Sequence, residues 1–101
     1  MAYVASGLKL LVGGLSNSSM NMWLLDTTDA IATVNTSDYI SDGVTRGMAQ
    51  GDIVFVRTRA SLPAGAVSAV NIAFVLDVGT GSAAQGVDLT DGLAVTATDT
   101  D

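Results

Sequence analysis

With neither His nor Cys in its 101 residues, this sequence leaves acid–base and metal chemistry to its aspartates, which account for all ten of its acidic residues. Two pairs sit close enough along the chain to work together. Asp88 and Asp91 share an Asp-Leu-Thr-Asp-Gly segment, and Asp38 and Asp42 flank a short apolar stretch. Paired carboxyls can hydrolyse a glycosidic bond when they face each other across a sugar in a cleft. Such clefts are lined with aromatics. The sequence has five aromatics (Tyr3, Trp23, Tyr39, Phe55 and Phe74), two of them at core-type strand positions. Aspartate beside Gly, Ser or Thr is better explained as turn and capping chemistry. Calcium is the other carboxylate option. Asp88-x-x-Asp91-Gly92 lacks the alternating acidic spacing and the closing Glu of an EF-hand loop. Asp99 and Asp101 have the chemistry to supply oxygens to a shared site on an oligomer axis.

Other catalytic arrangements are excluded. Ser-His-Asp and Cys-His pairs and ordinary zinc sites need residues the chain lacks. Gly79-Thr80-Gly81-Ser82 lacks the Lys-[Ser/Thr] ending of a phosphate-binding loop and precedes no convincing helix. No cofactor is expected. The basic residues are Lys9, Arg46, Arg57 and Arg59, and the net charge is −6. Without a Lys/Arg cluster, binding to nucleic acid or to an anionic membrane is not expected. Arg57 and Arg59, two residues apart, share one strand face. They either pair with an aspartate on a neighbouring strand or subunit, or stand solvated at an exposed strand end. With Arg46, they are where an acidic partner surface would be met.

Charged residues make up only 14% of the chain and hydrophobic ones 49%, against about 25% charged in an average soluble domain. A small domain has much surface for its volume. Here that surface must be built largely from Ser, Thr, Ala, Gly and Asn. It loses its water cheaply, so association with other copies or with a larger body is expected.

The elements that position these residues read as short strands between turns. Leu8–Val12 is an apolar strand; the run from Leu8 to Leu15 lacks the basic flank of a signal peptide, and Lys9 interrupts it. No stretch approaches the about 20 apolar residues of a membrane-spanning helix. Residues 1–20 form an N-terminal arm or edge strand, and residues 21–101 one β domain. Met22–Asp26 is a continuous apolar run, expected to be buried on both faces. Its Trp23 is a core or subunit-interface aromatic. One short helix is expected near residues 37–48, where Ile40, Val44 and Met48 recur every four residues. Ala30–Val34 is a weak segment. Ile53–Arg59 and Val70–Val78 alternate as strands of an antiparallel hairpin, joined by a long 60–69 loop around Pro63. Val87–Leu89 and Leu93–Ala97 flank Asp91-Gly92, a hairpin signal. The expected fold is mainly β, a small antiparallel sandwich or barrel with that one helix. Contacts with neighbours are expected at the N-terminal arm with Lys9, at the 60–69 loop with Pro63, and at the acidic tail with Asp99 and Asp101.

One stretch also has a familiar look. Trp-Leu-Leu-Asp-Thr-Thr-Asp from Trp23, Ala-Thr-Val from Ala32, Asp-Tyr-Ile-Ser-Asp from Asp38, and Gly-Met-Ala-Gln-Gly-Asp-Ile-Val-Phe-Val up to Val56 follow one another. Together they resemble small structural proteins of tailed-bacteriophage virions: head-decoration or cementing proteins, and β-domains of fibres. The resemblance covers about a third of the chain, and Ile40 stands where the pattern has Phe. It carries no catalytic residues. It implies a virion location, on the capsid surface rather than the tail. A homo-oligomer, a trimer first of all, would there contact the major capsid protein or another virion protein. The alternative it implies is a fibre or adhesin module that recognises a host glycan or protein.

Overall fold

The computed structural model describes residues 3–13, 20–79, 85–96 and 98. Among the described residues, six strands, two single-turn α-helices and a 3-10 turn (Ala5–Gly7) make up the regular structure. The strands are β1 (Leu8–Val12), β2 (Met22–Thr27), β3 (Ile53–Arg59), β4 (Val67–Val78), β5 (Val87–Leu89) and β6 (Leu93–Val95). The helices are α1 (Ile31–Val34) and α2 (Gly43–Arg46). The protein is therefore mainly β, as its alternating apolar runs predict. The described strands belong to one sheet, ordered β1-β2-β3-β4-β5 with β6 also on β4. A second sheet facing the first, as in a sandwich, is not among them.

The sheet is mixed rather than antiparallel throughout. β2 and β3 run parallel, Met22 opposite Ile53 through Thr27 opposite Thr58. A parallel pair needs a long crossover, and residues 28–52 supply it. Its helical content differs from the single helix expected. Asp38 takes a left-handed backbone (φ 64°), which interrupts any helix there. Ile40 then bridges to Val87 as a strand would. Helix is left to Ile31–Val34, in the segment that looked weak, and to Gly43–Arg46. Gly43 is required at its place, because a Cβ there would collide with the Val87 side chain. The apolar positions 40 and 48 are still buried, and Val44 is half-buried. The spacing marked which residues turn inward but not the backbone that carries them.

The core lies on one face of the sheet. Leu8, Trp23, Leu25, Val54, Val56, Ala73 and Val75 come from β1 to β4, and Val87 and Leu89 from β5. Val34, Ile40 and Met48 cover them from the crossover. Each fully buried Val, Leu or Ile contributes about 1.5–3 kcal/mol relative to exposure. At the crossover's edge Tyr3 and Tyr39 pack edge to face, ring centroids 6.0 Å apart.

Two expectations at the C-terminal end change. β5 and β6 do not pair with each other. Both lie antiparallel along β4, β5 opposite Val75–Val78 and β6 opposite Val70–Ile72. Asp91-Gly92 is thus a break in one edge line, with Gly92 at φ 85°, not a hairpin turn. Thr90 spans the break: its N–H donates to the Phe74 carbonyl (3.0 Å), and its hydroxyl accepts from the Phe74 N–H (3.1 Å). The twelve residues of β4 offer edge enough for both segments. β4 also begins at Val67, so the loop after β3 is residues 60–66.

A buried carboxylate fixes the start of the parallel pair. Asp52, 2% exposed, accepts N–H bonds from Asn21 (3.1 Å), Ala49 (3.1 Å) and the Trp23 indole (3.0 Å). Its carbonyl accepts from Val75 (2.9 Å). One residue thus joins β2, β3 and β4. Replacing it leaves buried donors without an acceptor. Asp52→Ala is expected to cost about 3 kcal/mol. Asp52→Asn keeps one acceptor oxygen and should cost about half as much. Urea unfolding followed by the fluorescence of Trp23 measures both. An alanine variant as stable as the wild type would contradict this role.

Candidate functional site: the open face of the sheet

The two faces of the sheet differ in what covers them. Strand registers align the outward side chains in rows. Met22, Ile53 and Phe74 form one row. Leu24, Phe55, Ile72 and Leu93 form the next, with Lys9 beyond Leu24 at the β1 edge. Asp26, Arg57, Val70 and Val95 form the third. No described helix lies over these rows, because Val34, Ile40 and Met48 are committed to the opposite face. Exposure reaches 71% at Leu93, 47% at Val95, 43% at Leu76 and 42% at Phe74. Met22 and Leu24 on this side are half-buried, so β2 is not buried on both faces as its unbroken apolar run suggests. In β4 the larger side chains point outward, while Asn71, Ala73 and Val75 point to the core.

A charged cluster closes one end of this face. Arg57 donates two bonds to Asp26, Nε to Oδ1 at 2.7 Å and Nη2 to Oδ2 at 2.9 Å. Of the two options for this arginine, pairing with an aspartate on a neighbouring strand is the one found. Asp26 is directly opposite Arg57 in the parallel register. Arg59 Nε lies 3.4 Å from Asp26 Oδ1, outside hydrogen-bond geometry. Its Nη1 donates to the Gly65 carbonyl (2.7 Å), which ties the 60–66 loop to the cluster. The bonds from Arg57 hold the Asp26 carboxyl below its ordinary pKa, against the opposing effect of burial. Beside this end, Val67, Ser68, Ala69, Val70, Val95 and Thr96 line a shallow groove of about 250 Å³.

The other residues singled out in the sequence are scattered. Lys9 is exposed on the open face. Pro63 is exposed in the 60–66 loop. Trp23 is no interface aromatic: at 3% exposure its ring belongs to the chain's own core, held there by Asp52. Arg46 clamps the N-terminal segment, donating to the carbonyls of Ala5 (3.1 Å) and Leu8 (2.7 Å). Asp99 and Asp101 lie outside the described residues. Among the described residues, no three carboxylates gather as a metal site.

The paired carboxylates do not converge on a cleft. Asp42 accepts from the Tyr3 hydroxyl (2.6 Å), and Asp91 from the Asn35 amide (3.3 Å). Asp88 stands opposite Asp77 on β4. A third carboxylate, Asp29, accepts from the Tyr39 hydroxyl (2.6 Å), which in turn lies 2.9 Å from Thr27 Oγ1. Burial and then this bond push the Tyr39 phenol up to about 12. The Tyr3 phenol is raised for the same reasons, with Asp42 as its acceptor. Nothing in the residue pattern marks the Asp52 centre, because it joins residues far apart in the chain. The Asp26–Arg57 pair depends on a parallel register that an antiparallel reading hides.

Comparison of the chain with family models, curated proteins and solved structures finds no match in any of the three.

A carboxyl whose pKa is lowered by folding contributes stability above its unfolded value, about 3.9, and loses that contribution as pH falls through the folded value. The protein is therefore expected to lose stability progressively below about pH 4. Asp26→Asn should be less stable at neutral pH and show a flatter acid limb. Urea midpoints measured from neutral pH downwards test this. Parallel acid limbs in the two proteins would contradict it.

Proposed function

We propose that this protein is a non-catalytic subunit of an assembly. The observation that carries the reading is the open apolar face, where Phe74, Leu76, Leu93 and Val95 are exposed and Met22, Leu24, Phe55 and Ile72 half-buried, in a chain with few charges. Monomeric soluble proteins rarely expose contiguous apolar patches beyond a few hundred Å². Five strands abreast at about 4.8 Å spacing, with about six residues each, span about 500 Å². That area, rimmed by a charged cluster, is built as an interaction surface. The engagement of Asp29, Asp42 and Asp91 in hydrogen bonds supports a structural rather than a chemical use of the carboxylates.

The narrower form of the proposal is a virion structural protein that decorates or cements a tailed-phage capsid. The resemblance of residues 23–56 is its support. In that role the protein would bind the major capsid protein across subunit seams, and binding to the assembled state would stabilise it by mass action. The adhesin alternative has less behind it, since residues 60–66 contain no aromatic to stack on a sugar.

The test is the protein's copy number and position on purified particles, with heat stability measured before and after it is stripped. Many copies at symmetry-related capsid positions, and a lower melting temperature without them, are expected. Its absence from particles, or unchanged capsid stability, would contradict the cementing role.

A further inference from the structure

The open face carries charges of opposite sign at its two ends. At one end the cluster of Asp26, Arg57 and Arg59 holds one carboxylate against two guanidinium groups. At the other end Asp77 and Asp88 are direct cross-strand partners. They point outward, because Val87 and Leu89 on either side of Asp88 are buried in the core. Like charges directly opposite on neighbouring strands repel. No cation among the described ion pairs sits on these two. Along β4 the positive end is at Val70 and the negative end at Asp77, about 20 Å apart. Between them lie the two apolar rows that contain Phe55, Ile72, Phe74 and Leu93.

We propose that the occupant of this face is a second copy of the same chain, packed sheet on sheet with the strands of the two copies running in opposite directions. The inference rests on the assembly reading above and names its partner. A twofold axis between the sheets, roughly perpendicular to the strands, exchanges their two ends. Arg57 and Arg59 of each copy then lie near Asp77 and Asp88 of the other. The row of Leu24, Phe55 and Ile72 lies over the other copy's row of Met22, Ile53 and Phe74. The alternative twofold, parallel to the strands, stacks like ends together and is disfavoured by the same charges. Aligned sheets pack about 10 Å apart with their strands within about 30°, which brings the arginines over the adjacent strand of the other copy. Two faces of about 500 Å² bury about 1,000 Å² in total, the lower bound for a specific interface. A Kd on the order of micromolar is expected for that size. The complete β-sandwich would then be a property of the pair. The elementary contact would be twofold, not the threefold that the resemblance implies.

The test is sedimentation velocity over a concentration series, with circular dichroism as the check on folding. The wild type should pass from monomer to dimer. Leu93→Lys, at the most exposed position of the patch, should remain monomeric with an unchanged spectrum. The double variant Asp77→Lys with Asp88→Lys should weaken the dimer at least tenfold. A spin label on the Asp77→Cys variant, whose thiol is the only one in the chain, should report a long distance between copies. A short distance would mean that like ends meet and would overturn the geometry. A wild type that stays monomeric, forms trimers, or dimerises undisturbed by Leu93→Lys would overturn the inference. Particle binding is measured separately, so the wider assembly reading stands or falls on its own experiment.

Discussion

Three N–H groups converge on the buried carboxylate of Asp52, and the arrangement of the sheet follows from that contact. β2 and β3 are parallel, so no tight turn sets their register. Asp52 does so instead, drawing the start of β2 through Asn21 and the Trp23 indole onto the start of β3. Its carbonyl brings in β4 at Val75. The low dielectric of the core strengthens these bonds and makes their loss costly. With the three strands pinned, Trp23, Val54 and Ala73 fall in one row. Leu25, Val56 and Asn71 fall in the next. A one-residue slip would turn every one of them outward.

The same register decides what remains outside. In β2, β3 and β4 the outward positions are also apolar until the last row, where Asp26 meets Arg57. The crossover covers only one face. Among the described residues, no segment lies over the other face. Asp26 neutralises part of the arginine charge within the chain and, in the pairing proposed above, leaves a net positive end for the second copy.

Much of this architecture was legible in the residues. β1, β2 and β3 are where their apolar runs begin and end, to within a residue. The inward positions 40 and 48 were marked by their spacing. Other features were hidden for physical reasons. Alternation in β4 could not say which face is buried, because Ile72, Phe74 and Leu76 are as apolar as Ala73 and Val75. The structure buries Asn71, Ala73 and Val75 and leaves Phe74 and Leu76 exposed. Asp91-Gly92 carries hairpin chemistry, but the free edge of β4 accepts the chain on both sides of it. The parallel pairing of β2 and β3 left no local trace, and both the Asp52 centre and the Asp26–Arg57 pair depend on it. After Thr27 the chain bends away from β2 into the crossover rather than back along the strand.

If one face of this sheet belongs to the chain and the other to a second copy, the two open faces must meet. Isotope-filtered NMR on an equal mixture of labelled and unlabelled protein tests it most directly, because it records only contacts between copies. Intermolecular signals are expected between the Phe55 and Phe74 rings and the methyl groups of Leu24, Ile72 and Met22. Signals confined to the β1 or β6 edges, or none at concentrations where the protein is dimeric, would contradict it.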